Sequence, residues 1–296
     1  MQICAHDLAS TLIFADNANK HQDYQCVECR QTVRLRRGIH RKAHFYHIQP
    51  NRICKQHAKG MPHLMLQQFL QNILPEGEAE LECAFASIKR IADVVWHPQK
   101  IVYEIQCSPI SAEEIKARNQ NYTSVGYQVV WIFHDERYNQ HRLSAAENSI
   151  IDQPHYYSDM NEMGEGKIYD QFSIIANGKR VQRLPILPID LSTPKLLNEG
   201  RLKWQKKLPC ILQRRAKNWP LVFSGDTIDS TLNPDESLIN HSDNQRELAL
   251  ILKDLFAKNN KLSFIYLLKQ PKIFFREWIA RPYSAVIKLI LERACR

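Results

Sequence analysis

Residues 91–107 read IADVVWHPQKIVYEIQC. Two β-branched or aromatic runs are joined by the turn-like step HPQK, which is the pattern of two short strands in a tight connection. Each run carries one carboxylate, Asp93 and Glu104, and Gln106 follows the second by two positions. Side chains alternate along a strand, so Glu104 and Gln106 share a face. If the strands form an antiparallel pair, Asp93 comes to lie beside them. Converging carboxylates repel, and one pKa rises unless a cation sits between them. A divalent ion such as Mg2+ takes oxygen ligands and keeps several waters, and one such water can attack a phosphodiester. An ordinary sheet with both acids at exposed strand ends satisfies the same spacing.

Outward from this stretch, the period changes twice. AELECAFAS, 79–87, reads as a preceding strand. Glu80 and Glu82 fall on one face of it, and either is a candidate third carboxylate or part of a solvated edge. Upstream, Pro62 opens a helical pattern with Leu64, Leu66, Phe69, Leu70, Ile73 and Leu74, closed by Pro75 and Gly77. His63 and Gln67 lie one turn apart on it. Downstream, SAEEIKARNQNYTSVG, 111–126, reads as a helix with Ser111 as N-cap, acids in the first turn and Gly126 as a stop. YQVVWIFH, 127–134, is a fourth strand. A helix crossing between the third and fourth strands implies that those two are parallel. This gives an α/β unit over about residues 61–136. Arg118 and Tyr122 share a face of the crossing helix. Arg118 can hold a phosphate through its planar fork, or it can pair with Glu114 while Tyr122 packs on the sheet.

Residues 1–60 form a separate module, rich in Cys, His and Arg. In YQCVECRQTVRLRRGIHRKAHFYH, 24–47, Cys26-x2-Cys29 is followed after fourteen residues by His44-x2-His47. Two thiolates and two imidazoles suit tetrahedral Zn2+. Cys54 and His57 compete for the same places, and His44 and His47 can instead serve a second centre. A module this small lacks the apolar mass for a core of its own, so bound metal would contribute to its folding. Arg30, Arg34, Arg36, Arg37, Arg41 and Lys42 make it a candidate phosphate-tracking surface or a solvated face.

The chain has 296 residues, 44% hydrophobic and 24% charged, with a net charge of +9. The composition is globular rather than disordered, and the charge favours a polyanionic partner. No apolar run reaches the length of a membrane span, and the N-terminus lacks the pattern of a signal peptide, so the expected compartment is the cytoplasm. The eight cysteines are scattered and suggest no disulfide framework. Residues 137–223 are mixed, with a basic run (Lys203, Lys206, Lys207, Arg214, Arg215, Lys217) that includes Trp204 and Trp219. Residues 224–245 read as a polar linker, and 246–296 as short amphipathic helices broken at Pro271 and Pro282.

Residues 89–133 resemble the competence protein CoiA family. The matching features are R-x-A-D-V at 90–94, E-x-Q-x-S at 104–108, S-x-x-E at 111–114, R-x-x-x-Y at 118–122 and WIF at 131–133. The resemblance reaches upstream to H-F-Y-H at 44–47 and the helix near His63, covering roughly 24–135. It implies a nuclease-like core of the PD-(D/E)xK type, that is, a restriction-endonuclease-like α/β (α+β) fold with a central mixed sheet flanked by helices. The small N-terminal zinc module and the helical C-terminal region lie outside that core. Carried over, Asp93 and Glu104 would be Mg2+ or Mn2+ ligands, and Gln106 would occupy the place of the nuclease lysine. The implied function is metal-dependent hydrolysis of single-stranded or branched DNA in natural transformation or recombination, alongside recombination proteins. An alternative is a non-catalytic DNA-binding or recombination adaptor with a nuclease-like fold, and a third reading is an RNA-binding protein.

Overall fold

The computed structural model describes residues 1–39, 41–49, 54, 56, 59–196, 212, 221–232 and 250–251. Five strands open the chain: β1 (Cys4–His6), β2 (Leu12–Phe14), β3 (Asp23–Gln25), β4 (Thr32–Gly38) and β5 (Arg41–His47). They pair antiparallel in the order β2-β1-β3-β4-β5. In β4 the alternation is clean: Val33 and Leu35 are buried, Arg34 and Arg36 exposed. The core beneath is thin, with Tyr24, Val33, Leu35 and Phe45 its main large apolar side chains.

Helix α1 (Met61–Ile73) starts at Gly60, with Pro62 in the first turn where no N–H is needed, and ends before Pro75. Its apolar stripe, Leu64, Leu66 and Leu70, is fully buried. Strands β6 (Ala79–Phe85), β7 (Arg90–Trp96) and β8 (Ile101–Gln106) follow as an antiparallel meander. Residues His97–Lys100 make the predicted tight connection, with Lys100 in the left-handed region. Helix α2 (Ala112–Ser124) begins at Ser111, whose Oγ accepts from the Glu114 N–H at 3.1 Å. Gly126, at φ 84°, turns the chain out of it. Strand β9 (Gln128–His134) then lies parallel to β8, as the crossover requires.

The sheet does not end there. After the short helix α3 (Ala145–Ser149), β10 (His155–Ser158) adds parallel to β9. Strand β11 (Ile168–Asp170) follows, then the hairpin of β12 (Ser173–Ala176) and β13 (Lys179–Arg183), then β14 (Leu187–Pro188). The result is a seven-stranded mixed sheet in the order β14-β11-β10-β9-β8-β7-β6. The fold is mixed α+β. Helix α1 covers one face against Leu81, Val94, Trp96, Tyr103 and Ile105. Helices α2 and α3 cover the other, against Val95, Val102, Trp131 and Phe133.

Strand β15 (Asp190–Leu196) pairs with β16 (Leu221–Ser224), and α4 (Thr227–Leu232) follows. Ser224 and α4 fall within the stretch read as linker, 224–245. Asp226 caps α4 through the N–H groups of Ile228 and Asp229, and accepts from the Tyr156 hydroxyl at 3.0 Å. A six-residue helix with this many Ser, Thr and Asp carries no apolar period to read. The basic run at 203–217 with Trp204 and Trp219 lies outside the described residues apart from Leu212, and the helices expected at 246–296 lie outside them apart from Leu250 and Ile251. Among the described residues, no helix is long and apolar enough to cross a membrane.

One irregularity positions everything that follows. Strands β7 and β8 pair from Trp96↔Ile101 to Val94↔Tyr103 and then part. At the fork, the Asp93 carboxylate takes the Ile105 N–H at 2.9 Å, in place of a strand partner. Across β6, Glu82 stands opposite Asp93 with φ 53°, at the one position where the β6–β7 register is interrupted.

Candidate active site and metal centre

The fork gathers buried acids. Asp93 and Glu82 are joined by His63 from α1, and the ligand-type atoms of these three lie within 4.8 Å of one another. His63 Nε2 is 3.0 Å from Asp93 Oδ1. One turn along α1, Gln67 donates to the Glu82 carboxylate and to the Asp93 carbonyl. So His63 and Gln67, one turn apart, face the site from one helix stripe. Strand alternation predicts Glu80 and Glu82 on one face. The left-handed backbone at Glu82 breaks that alternation and turns its side chain inward. Glu80 stays on the surface, 2.9 Å from His97 Nε2.

Lys59 is the residue that the sequence did not suggest. Its Nζ sits 2.7 Å from Asp93 Oδ1 and also bridges to Glu82. It enters just before α1, from the segment that leaves the N-terminal module. No spacing rule links it to Asp93, 34 positions away. Gln56, from the same segment, donates to the other oxygen of Glu82.

Glu104 lies on the α2 side of the fork and is fully buried. Arg118 donates to it and, through Nε, to Glu114 at 3.0 Å. Glu114 also receives Arg90 at 2.6 Å. Arg118 therefore pairs with Glu114, the second of the two alternatives, and also reaches the buried Glu104 carboxylate. Tyr122 is near enough to Glu104 to interact with its charge. Apart from each other, neither its hydroxyl nor Glu104 Oε1 has a hydrogen-bond partner. Gln106 is half-buried, and its amide donates to the Ser108 carbonyl at 2.7 Å and hydroxyl at 3.0 Å.

The two central acids titrate in opposite directions. Burial opposes the charge of Asp93, but His63 and Lys59 outweigh it and hold the carboxyl well below the usual range. Burial pushes Glu104 up to about 7, against the pull of Arg118 and with the repulsion of Asp93. Burial also opposes the charge on Lys59, yet Asp93 and Glu82 more than restore it, so the ammonium persists.

The donor set fits a divalent cation. Three buried carboxylates, Glu82, Asp93 and Glu104, face two permanent cations, Lys59 and Arg118. Glu104 Oε1, which receives no nitrogen donor, is an acceptor that an ion would satisfy. Carboxylate oxygens suit Mg2+ or Mn2+. Two clefts, of about 580 and 330 Å3, open onto the site. Lys59, Asp93 and Arg118 line both, so they form the saddle between them. Gln106 lines only the larger.

The second centre lies in the N-terminal module. Cys26, Cys29, His47 and Cys54 converge with their ligand atoms within 4.8 Å. Cys26 and Cys54 sulfurs are 3.6 Å apart, and Cys29 Sγ is 3.2 Å from His47 Nε2. Tetrahedral zinc with Zn–S of about 2.3 Å places its sulfurs about 3.8 Å apart, close to this spacing. This Cys3His cluster can bind a metal ion such as zinc. The expected set of Cys26, Cys29, His44 and His47 is corrected at one place. His44 and His47 are three apart on strand β5, so they point to opposite faces. His44 is buried elsewhere, with Nδ1 2.9 Å from the Lys42 carbonyl. Cys54 takes its place, and His57 lies outside the described residues. Burial raises the Cys26 and Cys54 thiols, so a cation is what would bring out their thiolates.

The arginines of this module are partly engaged. Arg34 pairs with Asp23 at 2.6 Å, Arg36 lies over the Tyr46 ring, and Arg37 holds the Ala15 and Asp16 carbonyls. Arg30 and Lys42 are exposed.

Two family models match the chain. One, described as competence protein CoiA, nuclease-like domain, covers residues 54–163. The other, competence protein CoiA, N-terminal domain, covers residues 13–57. No curated protein and no solved structure matches.

Proposed function

Because the chain belongs to the competence protein CoiA family, we propose that it hydrolyses DNA phosphodiesters with a divalent cation, acting on single-stranded or branched DNA during transformation or recombination. One observation carries this reading: Glu82 and Asp93 converge with His63 within 4.8 Å at a fork of the sheet, with the buried Glu104 close enough to feel the Asp93 charge, beneath a saddle lined by Lys59 and Arg118. Buried acids are costly unless a cation compensates them, and a cation between two open clefts is placed to meet a phosphate.

Glu82, Asp93 and Glu104 are the residues that would hold Mg2+ or Mn2+. When bound, the ion would supply a water of lowered pKa and positive charge against the phosphate. The protein contributes the rest by preorganisation. The Ile105 N–H and His63 fix the Asp93 carboxylate at both oxygens. Gln56 and Gln67 fix Glu82 in the same way. Arg118, anchored by Glu114, presents its guanidinium at the saddle, where it can bind the scissile phosphate. The saddle links two clefts, which suits a strand laid across the site with one phosphate at its centre. The Cys3His centre is read as structural zinc.

Purified protein with Mg2+ or Mn2+ is expected to cleave single-stranded or branched DNA. Asp93→Asn and Glu104→Ala should each abolish cleavage while DNA still binds. Equal cleavage by wild type and both variants would defeat the site assignment. A second reading, a non-catalytic adaptor, draws on the Gln106 amide being turned to Ser108 and on Arg118 already engaged by Glu104. It predicts DNA binding that neither metal nor these substitutions converts into cleavage.

A further inference from the structure

Attack on a phosphodiester builds negative charge on the phosphate oxygens, and a preorganised cation in a water-poor site stabilises it strongly. In strand β8 the position expected to supply that cation is Gln106. An amide carries no charge, and this one is occupied by Ser108. Arg118, which takes the scissile phosphate in the reading above, pairs with Glu104 and Glu114 rather than with the Asp93 and Glu82 carboxylates.

Lys59 meets the requirement from another direction. Its Nζ contacts Asp93 and Glu82 directly, and its side chain is 12% exposed, so it is held in the cluster yet reachable from the clefts it lines. A lysine ammonium has three rotatable donors on a flexible stem. It can keep one carboxylate while turning another N–H to a phosphate oxygen. Its placement is also supported. Gln56, three residues earlier, is tied to Glu82, and Glu28 accepts from the Gln56 N–H at 3.1 Å and from Cys54 Sγ at 3.3 Å. The chain that delivers Lys59 is thus anchored on the Cys3His centre.

We infer that Lys59 is the catalytic cation of this site, replacing in space the charge that Gln106 lacks in sequence. The inference rests on the nuclease reading. A lysine on the same oxygens as a divalent ion should hinder that ion's binding while assisting the reaction, which separates it from a purely structural lysine.

The test uses the full chain with Lys59→Met, Lys59→Arg and the double variant Lys59→Met/Gln106→Lys. Single-turnover cleavage with Mg2+ should fall about 100-fold in Lys59→Met. Lys59→Arg should keep part of the rate. The double variant, which returns a lysine from strand β8, should recover at least about ten-fold over Lys59→Met. Mn2+ affinity, read without DNA by electron paramagnetic resonance, should be about ten-fold tighter in Lys59→Met because a competing charge is gone. A Lys59→Met protein that cleaves like wild type overturns the inference. So does one that loses cleavage and Mn2+ binding together and is not rescued by Gln106→Lys, since that marks a structural prop. Wild-type protein that does not cleave at all defeats the nuclease reading and this inference with it. Active wild type beside an equally active Lys59→Met defeats this inference alone.

Discussion

Arg118 compensates a carboxylate that cannot reach water. Its partner Glu104 is fully buried, and its folded pKa of about 7 exceeds its ordinary value of 4.5. Between those two values the unfolded chain gives up this proton first, so rising pH favours unfolding through this group. Removing Arg118 raises the carboxyl further and leaves its charged form without a partner. Arg118→Ala in metal-free protein should therefore cost about 3 kcal/mol at pH 8 and clearly less at pH 5.5, where Glu104 is protonated. Urea unfolding at the two pH values checks this; equal losses at both would remove Glu104 as the cause. The residues of this scale were unevenly legible. Asp93, Glu104 and Arg118 stand in readable strand and helix patterns. Lys59 has no such pattern, because the charge it neutralises is brought to it by a strand 34 positions away. The choice of Glu82 over Glu80 depends on one left-handed backbone angle, which a non-glycine residue gives no reason to expect.

Helix α3 is held largely by polar contacts. Glu147 closes a capping box with Ser144, accepts the Asn139 N–H at 2.8 Å and receives the buried Arg180. Burial opposes its charge, but the Ser144 amide, Arg180 and the Asn139 amide outweigh it, so its folded pKa lies below 4.5. The stabilisation is complete above 4.5, the unfolded value, and is lost as pH falls through the lower folded value. Glu147→Gln should lower stability by about 3 kcal/mol at pH 7 and flatten the acid-unfolding profile below pH 4.5 relative to wild type. Circular dichroism across an acid titration reads this, and parallel profiles would sink it. The hairpin β7–β8 and helices α1 and α2 were legible because each carries its own period, cap or breaker. Strands β10, β11 and β14 were not. They are four residues or fewer, and are strands because an existing sheet edge supplies their partners.

At the scale of the molecule, the N-terminal module and the sheet share one site. Cys54 belongs to the Cys3His cluster, while Gln56 and Lys59 reach into the second centre. Loss of the Cys3His metal should then act at a distance. Cys54→Ser is expected to lose tightly bound zinc by elemental analysis and to reduce DNA cleavage at least about ten-fold. The unfolding transition of the central sheet should remain. Unchanged cleavage by zinc-free protein would separate the two centres. H-x-x-H misled the reading of this module because that spacing brings two imidazoles to one metal on a helix, whereas β5 is a strand and sends them apart.

The sequence alone determined the order of strands and helices through the core, the parallel pairing of β8 with β9, and the family to which they belong. Hydrophobic period, capping residues and turn chemistry are local, and a local pattern can be read along the chain. It also marked Asp93 and Glu104 as misfits in apolar strands, since a buried charge conflicts with its surroundings wherever it stands. Only the tertiary structure decided which groups answer those charges. Lys59 comes from the segment before α1, His63 from α1 and Glu82 from β6. Their convergence depends on a fork between two strands and on how a linking segment packs over it, and both are set by contacts that sequence distance does not encode.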